Sequence, residues 1–340
     1  MDRFFVAYDQ ACRKRGYSID WFFAGGEKFE LYEELTVHFS KNIAVENYFR
    51  EFSLKNNLQY DVLFTHFVEL CTSFFKKIKK DQKPYIIAVD HNPRPVNGFP
   101  FRKRVKNKLK GAVCASYIDR FVGVSSYTKA QILKDYGNRL ANITRVIYNG
   151  IEVERYEKRT DPNFGKFIVA SHLRPSKGIQ DLICAVDFLP GNLKNMLQID
   201  IYGEGPMETE LKQEVRNRGL EKIISFKGSS PDLPDLFSRY SYLLQPTYME
   251  CFSLSILESL AANVPVVTTP VGGNLEIIRN NENGFIFETG NVAQLTELIK
   301  GILLNEIYIT EPVDKLVEKE FNLERMVNNH IELLTEIDNK

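Results

Sequence analysis

Short apolar runs alternate with amphipathic segments along most of the chain. Five runs in the first half predict strands, at Ile19–Phe23, Asp61–Thr65, Tyr85–Asp90, Arg120–Val124 and Thr144–Tyr148. Segments with apolar residues at helical spacing lie between them, and the chain opens on such a segment, which begins near Asp2 and ends at Gly16. Alternating strands and helices are typical of a parallel sheet covered by helices.

A second alternating series follows the Asn149-Gly150 turn and a polar linker from Glu152 to Pro162. Its predicted strands are Phe167–Ala170, Leu197–Tyr202, Ile223–Phe226, Tyr242–Gln245, Val264–Thr268 and Phe285–Phe287. We therefore expect one α/β domain over residues 1–154 and a second over 155–312. Residues 313–340 contain a long amphipathic helix from Leu323 to Ile337.

Length and composition agree with this division. A chain of 340 residues with 44% hydrophobic content can bury two ordinary cores. Its 44 basic and 44 acidic residues cancel, so the sequence provides no overall positive field for nucleic acid. Five scattered cysteines without a CxxC pair indicate a reducing compartment, and we expect a cytoplasmic protein without a transmembrane segment.

The segment from Glu250 to Glu258 has the strongest chemical signal. It follows the predicted strand Tyr242–Gln245 and enters a helix that Ser253 can cap. The backbone amides near Phe252 to Ser255 would then point toward an anion such as a phosphate, and we expect donor contacts from Cys251, Phe252, Ser253 and Leu254. Ligands collect at this carboxyl edge of open parallel sheets, although the two glutamates could also be ordinary surface carboxylates.

This spacing, with Pro265–Gly273 and Glu276 downstream, resembles the retaining nucleotide-sugar glycosyltransferases of family 4, also called glycosyl transferases group 1. The resemblance implies an α/β GT-B fold, in which two Rossmann-like, doubly wound domains face a cleft and the last helix packs back on the first domain. Family members normally begin with a strand and a glycine-rich loop before the helix that here starts near Asp2. We therefore expect the N-terminal domain to lack its usual first strand; either the sequence starts late or is truncated, or a partner chain supplies the strand.

The resemblance also implies a donor site in the C-terminal domain. Glu258 would bind the ribose hydroxyls, Glu250 the transferred sugar, and Lys177 the diphosphate. The family usually has an arginine where this chain has His172, so either Arg174 or His172 would be the second phosphate contact. The remaining expected donor contacts are the turn glycines Gly203 and Gly205 and the neighbouring Lys227.

Two features of the N-terminal half point to the acceptor side. His91 follows the strand Tyr85–Asp90, and a histidine in a comparable place in the family contacts sugar; His66 is a weaker candidate. Residues 99–110 combine apolar residues with six cations and no acid, which is typical of a membrane-surface helix but also of a solvated basic face. These cations are Arg102, Lys103, Arg104, Lys106, Lys108 and Lys110.

The function implied is a retaining transfer that needs no metal or other cofactor, with Glu250, His91 and Lys177 as catalytic residues. The acceptor would be a saccharide, lipid-linked because of the basic segment, in capsule, O-antigen or exopolysaccharide synthesis at the inner face of the cell membrane. Two alternatives stay open: a catalytically silent subunit that binds a nucleotide-sugar or a membrane and completes a partner glycosyltransferase, and a sugar-nucleotide epimerase.

Overall fold

The computed structural model describes residues 1–26, 30–95, 97–160 and 164–338. The end of the predicted linker, 161–162, and the last two residues of the chain therefore lie outside the described residues. The chain divides into two compact units. Unit 1 comprises Met1–Asn92, Phe99–Gly150 and Leu323–Lys340, and unit 2 comprises Pro93–Gly98 and Ile151–Asn322.

Unit 1 contains parallel strands in two separate sheets. Strands β1 (Trp21–Phe23) and β2 (Val37–Phe39) form one pair, and the four strands that follow form the second sheet, side by side in chain order. The strands of the second sheet are β3 (Val62–His66), β4 (Tyr85–Asp90), β5 (Arg120–Gly123) and β6 (Thr144–Val146). The sequence predicted every strand except β2, because a three-residue strand is defined by its pairing rather than by an apolar run.

The parallel strands of unit 1 do not form one continuous sheet. Among the residues of unit 1 that the structure describes, no strand pairs with the second edge of β1 or of β3. The side chains of β1 are all half-buried and those of β3 mostly so, whereas β4 is buried at five of its six positions. β1 and β3 therefore each keep one edge that no described strand of unit 1 covers.

Helices cover the sheets of unit 1, and a hydrophobic core that includes Phe75, Ile86 and Phe121 lies beneath them. The C-terminal helix belongs to this unit and packs against the N-terminal helix. The helices of unit 1 are α1 (Asp2–Arg13), α2 (Val45–Lys55), α3 (Ser73–Asp81), α4 (Phe101–Cys114), α5 (Ser126–Tyr136) and α14 (Leu323–Asp338).

Unit 2 is built on one six-stranded parallel sheet with the order β12-β11-β10-β7-β8-β9. Its strands are β7 (Lys166–Ala170), β8 (Gln198–Tyr202), β9 (Ile224–Gly228), β10 (Tyr242–Gln245), β11 (Val266–Thr268) and β12 (Gly284–Ile286). Because β7 pairs with both β8 and β10, the strand order reverses at β7. That reversal is the point at which open parallel sheets bind ligands.

The helices of unit 2 cover this sheet, and a core that includes Phe167, Ile199 and Leu244 lies beneath several of them. They are α6 (Ile179–Asp187), α7 (Gly191–Lys194), α8 (Glu208–Asn217), α9 (Leu233–Leu236), α10 (Leu254–Ala261), α11 (Asn274–Ile277), α12 (Val292–Leu303) and α13 (Lys315–Glu320). Across the described residues, none of the helices is both long enough and apolar enough to span a membrane.

Candidate functional site

The pairing of β7 with β10 brings two distant loops to one edge of the sheet. The loop after β7 ends in Lys177, and the loop after β10 contains Glu250. The Lys177 ammonium donates to a carboxylate oxygen of Glu250, and the two side chains are only 17% and 15% exposed. The lysine and the acid that the sequence proposed for the donor site therefore form one half-buried ion pair.

Hydrogen bonds between the two loops hold this pair in place. The Tyr248 amide and the Thr247 hydroxyl both donate to the Ser176 carbonyl, at 2.8 and 3.0 Å. Gly178 follows Lys177 with φ of +69°, and a Cβ added there would lie 1.8 Å from the Pro246 carbonyl oxygen. The backbones of the two loops are thus in direct contact, which fixes the base of the Lys177 side chain relative to Glu250.

Helix α10 begins as the sequence predicted. Ser253 is its N-cap, and the Ser253 hydroxyl accepts a hydrogen bond from the Ile256 amide at 3.4 Å. The amides of Leu254 and Ser255 lie in the first turn, where an α-helix has no internal acceptor for them. Cys251 and Phe252, also predicted as donor contacts, have buried side chains, so their backbone rather than their side chains can face a ligand.

A buried polar network beneath this helix end was not predicted from the sequence. The Gln245 side-chain amide donates to the hydroxyls of Ser253 and Ser255 at 2.6 and 3.1 Å. Its carbonyl accepts from Thr268 at 3.3 Å and from Asn274 at 3.4 Å. These residues lie on β10, β11 and α11, so only the folded sheet brings them together, and the network orients the N-terminus of α10.

Glu258 lies one turn inside α10 and interacts with a residue that the sequence analysis did not select. Burial raises the pKa of Glu258, while a hydrogen bond from Tyr156 and the charge of Arg155 oppose that rise. Glu258 is separated from Glu250 by eight positions, so the two acids occupy different environments. One is paired with a lysine, and the other is half-buried and accepts a hydrogen bond from a tyrosine hydroxyl.

Three glycines allow close contacts between backbone segments at this edge of the sheet. Gly272 has φ of +60°, and a Cβ there would lie 1.9 Å from the Glu250 carbonyl oxygen. Gly203 and Gly205 pack against the loop after β7, where added Cβ atoms would lie 2.0 Å from the Ser171 oxygen and 2.3 Å from the Leu173 oxygen. Both predicted glycines therefore shape the loop that ends in Lys177.

The remaining predicted donor residues differ in their surroundings. Arg174 is exposed, and its side chain has no hydrogen-bond or ion-pair partner among the described residues. His172 is also exposed, and its ring lies against Gly205. Lys227 instead forms an ion pair with the buried Asp200 at 3.2 Å, so a structural partner already engages its charge.

The acceptor-side candidates lie in unit 1. His91 and His66 are joined by a hydrogen bond of 3.0 Å, and the His91 ring stacks on Phe67. Burial and the neighbouring His330 lower the pKa of His91 to about 3, so this imidazole is neutral near pH 7. The six cations predicted for the membrane or acceptor lie on α4.

No group of three or more His, Cys, Asp or Glu residues within the described ranges has a geometry suited to a metal ion. Asp232 is the N-cap of the short helix α9, and Asp235 lies inside that helix. None of the five cysteines, which all lie in the described ranges, forms a disulfide.

Two family models match this chain. The model described as Glycosyl transferases group 1 matches residues 151–321, which is half of the chain, and the model described as Glycosyltransferase Family 4 matches residues 4–155. The first match contains all of the predicted donor residues. The second contains His91 and the basic helix.

Individual relatives show more limited similarity. An uncharacterized glycosyltransferase of Methanocaldococcus jannaschii is 30% identical over 59% of this chain and 56% of its own length. The poly(ribitol-phosphate) alpha-N-acetylglucosaminyltransferase of Staphylococcus aureus is 23% identical over 73% of this chain and 54% of its own length. The chain thus spans little more than half the length of these relatives.

Solved structures share the fold across nearly the whole chain. The structure of Anabaena HepE in complex with UDP and glucose has a TM-score of 0.81 at 17% identity, covering 98% of this chain and 95% of that one. A glycosyltransferase from Rickettsia africae has a TM-score of 0.76 at 19% identity, covering 99% and 94%. Together with the family models, these findings show that the chain belongs to the glycosyl transferases group 1, within glycosyltransferase family 4, and has the GT-B fold.

Proposed function

We propose that this protein transfers a sugar from a nucleotide-sugar donor to a saccharide acceptor with retention of anomeric configuration. The observation that carries the proposal is the Lys177–Glu250 pair at the strand-order reversal of unit 2, beside the N-terminus of α10. A cation, a carboxylate and first-turn amides are the groups needed to bind a diphosphate and a sugar hydroxyl together.

In the proposed reaction, the bond between the anomeric carbon and the diphosphate oxygen breaks as the acceptor hydroxyl attacks from the same face. The acceptor proton leaves with the nucleoside diphosphate, so the products balance without a covalent intermediate. Lys177, Arg174 and the first turn of α10 would stabilise the charge that develops on the leaving group, which is preorganised electrostatic catalysis. These groups would do so without a metal ion.

The other predicted residues have supporting roles in this proposal. Glu258 would accept hydrogen bonds from the ribose diol, and its link to Tyr156 favours the ionised carboxylate that this role needs. His91 would act as a neutral hydrogen-bonding group, in keeping with its lowered pKa. Lys227 is a weaker candidate for a donor contact, because binding a nucleotide would compete with its ion pair to Asp200.

The names of relatives support the choice of donors and acceptors for testing. HepE has been crystallised with UDP-glucose as well as with UDP and glucose, and the Staphylococcus aureus relative is named for a poly(ribitol-phosphate) acceptor. We propose a nucleotide-sugar donor and a lipid-linked or cell-surface saccharide acceptor, used at the cytoplasmic face of the membrane.

A panel of UDP-, GDP- and ADP-sugars, assayed for slow hydrolysis and for a shift in the thermal unfolding midpoint, tests the donor site. Lys177→Ala should weaken nucleotide binding about 10- to 150-fold, the loss expected for one charged hydrogen bond. Glu250→Gln should reduce turnover more than nucleotide affinity. Lys222→Gln is the matched control, because Lys222 is an exposed cation of unit 2 without a partner among the described residues. Equal responses from wild type, Lys177→Ala and Glu250→Gln would reject this site.

One observation favours the alternative of a catalytically silent subunit. The interrupted sheet of unit 1 leaves two strand edges that a partner chain could complete. Such a subunit would show nucleotide-dependent thermal stabilisation with no donor hydrolysis by itself, and hydrolysis would appear only when the partner is added. Hydrolysis by the isolated chain would exclude it.

A further inference from the structure

Helix α4 of unit 1 exposes a continuous apolar stripe to solvent. Phe101 is 77% exposed, Val105 43%, Leu109 61% and Val113 61%. The four residues recur at every fourth position, so they lie along one face of the helix. Single exposed apolar residues are common on protein surfaces, but an unbroken line of four marks an interaction site.

The opposite face of α4 fixes the helix to the protein. Asn107 is 3% exposed, and a Cβ added at Gly111 would lie 2.2 Å from the Tyr136 carbonyl oxygen of α5. At 100° per residue, Asn107 and Gly111 point about 180° away from the centre of the apolar stripe. The stripe therefore faces away from the body of unit 1 because of how the helix packs.

Unpaired cations lie on both flanks of the stripe. In the same helical projection, Arg102 and Lys106 fall on one side, and Arg104 and Lys108 fall on the other. The side chains of these four have no hydrogen-bond or ion-pair partner within the part of the chain that the structure describes, and α4 contains no acid. Lys110 is different, since it pairs with Glu69 at 2.6 Å.

We propose that this face of α4 docks on the surface of an anionic phospholipid bilayer, with the apolar stripe at the boundary between headgroups and acyl chains and the flanking cations among the headgroups. An apolar stripe between two rows of cations is the arrangement that stabilises a helix lying in that boundary. Nucleic acid fits less well, because the centre of the face is aliphatic apart from Phe101 and offers no stacking platform. A neutral protein partner would leave the four free cations without counter-charges.

Docking is separate from the proposed transfer reaction, because it uses a helix that contains none of the proposed donor residues. It deepens the proposed function only by supplying the membrane at which a lipid-linked acceptor would be used. Vesicle binding is measured without donor, so its failure leaves the donor assays unaffected, and their failure leaves docking unaffected.

Flotation of the full chain with vesicles tests the proposal. The probes are phosphatidylcholine vesicles with and without phosphatidylglycerol, and wild type should float only with the anionic ones. Each cation near such a surface strengthens binding about fivefold, so Lys106→Gln/Lys108→Gln should weaken it about 25-fold at low salt. Phe101→Ser/Leu109→Ser should weaken it about tenfold or more, and added salt should weaken wild-type binding.

Two matched variants in unit 2 serve as controls. Lys222→Gln/Lys315→Gln removes the same charge from exposed positions, and Phe188→Ser removes a phenylalanine that is 70% exposed. Both should float like wild type, and all variants should keep the wild-type circular dichroism spectrum. The proposal is overturned if wild type fails to float with anionic vesicles, if the α4 variants float as well as wild type, or if a DNA duplex binds through α4 while vesicles do not.

Discussion

Acidification is expected to destabilise unit 1 through His330, a buried histidine of α14. The His330 Nδ1 atom lies 2.8 Å from the Met326 carbonyl oxygen, which can only accept, so Nδ1 carries the proton. Its Nε2 atom is buried without a hydrogen-bond partner among the described residues, and the Phe4 ring packs 4.7 Å away, centroid to centroid. A proton added to Nε2 would have no acceptor in these surroundings.

The size of the effect follows from the pKa of this group. Burial lowers the pKa of His330 from 6.5 to about 4, which the hydrogen bond to Met326 only partly offsets. The unfolded chain therefore takes up the proton first as the pH falls, and stability declines below about pH 6.5 until it levels off near the folded-state pKa. Between pH 7.5 and 5.5, the free energy of unfolding should fall by about 1.3 kcal/mol from this residue alone.

Urea unfolding followed by tryptophan fluorescence measures this loss of stability in unit 1. Trp21 is the only tryptophan, and it lies on β1, where its ring contacts Phe5 and its Nε1 donates to Asp9 at 3.0 Å. The variant His330→Asn keeps a side-chain amide that can donate to Met326 but cannot take up a proton. Its loss of stability between the two pH values should be about 1.3 kcal/mol smaller than that of wild type.

His172→Asn is the control, because His172 is exposed in unit 2. This variant should leave the unfolding transition that Trp21 fluorescence reports unchanged. If His330→Asn and wild type lose the same free energy between pH 7.5 and 5.5, the reasoning about His330 is wrong. His66 and His91 also have lowered pKa values, mainly through burial, so some acid sensitivity should persist in the variant.

Three further outcomes concern unit 2. Gly272→Ala would place a methyl group against the Glu250 carbonyl at a positive φ, so the transfer rate should fall at least about tenfold. Gly191→Ala has open space at its Cβ and should match wild type. Equal turnover for the two variants would contradict the close approach of Gly272 to the Glu250 carbonyl. Tyr156→Phe removes a hydrogen bond that lowers the pKa of Glu258, so the pH at which nucleotide affinity is lost on acidification should rise. Identical pH profiles of nucleotide affinity for the variant and wild type would refute the Tyr156–Glu258 interaction. Chelation with EDTA should leave the transfer rate unchanged, and a loss restored by magnesium would overturn the metal-independent proposal.

Local sequence signals determined the elements on which the site is built. The apolar run of β10 and the Ser253 cap of α10 are properties of neighbouring residues, so both could be predicted without knowledge of the fold. The same holds for the strand–helix alternation that indicates a parallel sheet. The family resemblance then placed Lys177 and Glu250 in one predicted site.

Tertiary structure decided which distant residues meet and which face of an element is covered. The Gln245 network and the contact between Tyr156 and Glu258 join separate elements, and no local pattern encodes such partners. In α4, the sequence shows apolar residues and cations, but only packing through Asn107 and Gly111 turns the apolar stripe outward. The physical reason is that periodicity specifies the faces of a helix, whereas the rest of the fold selects the face that is buried.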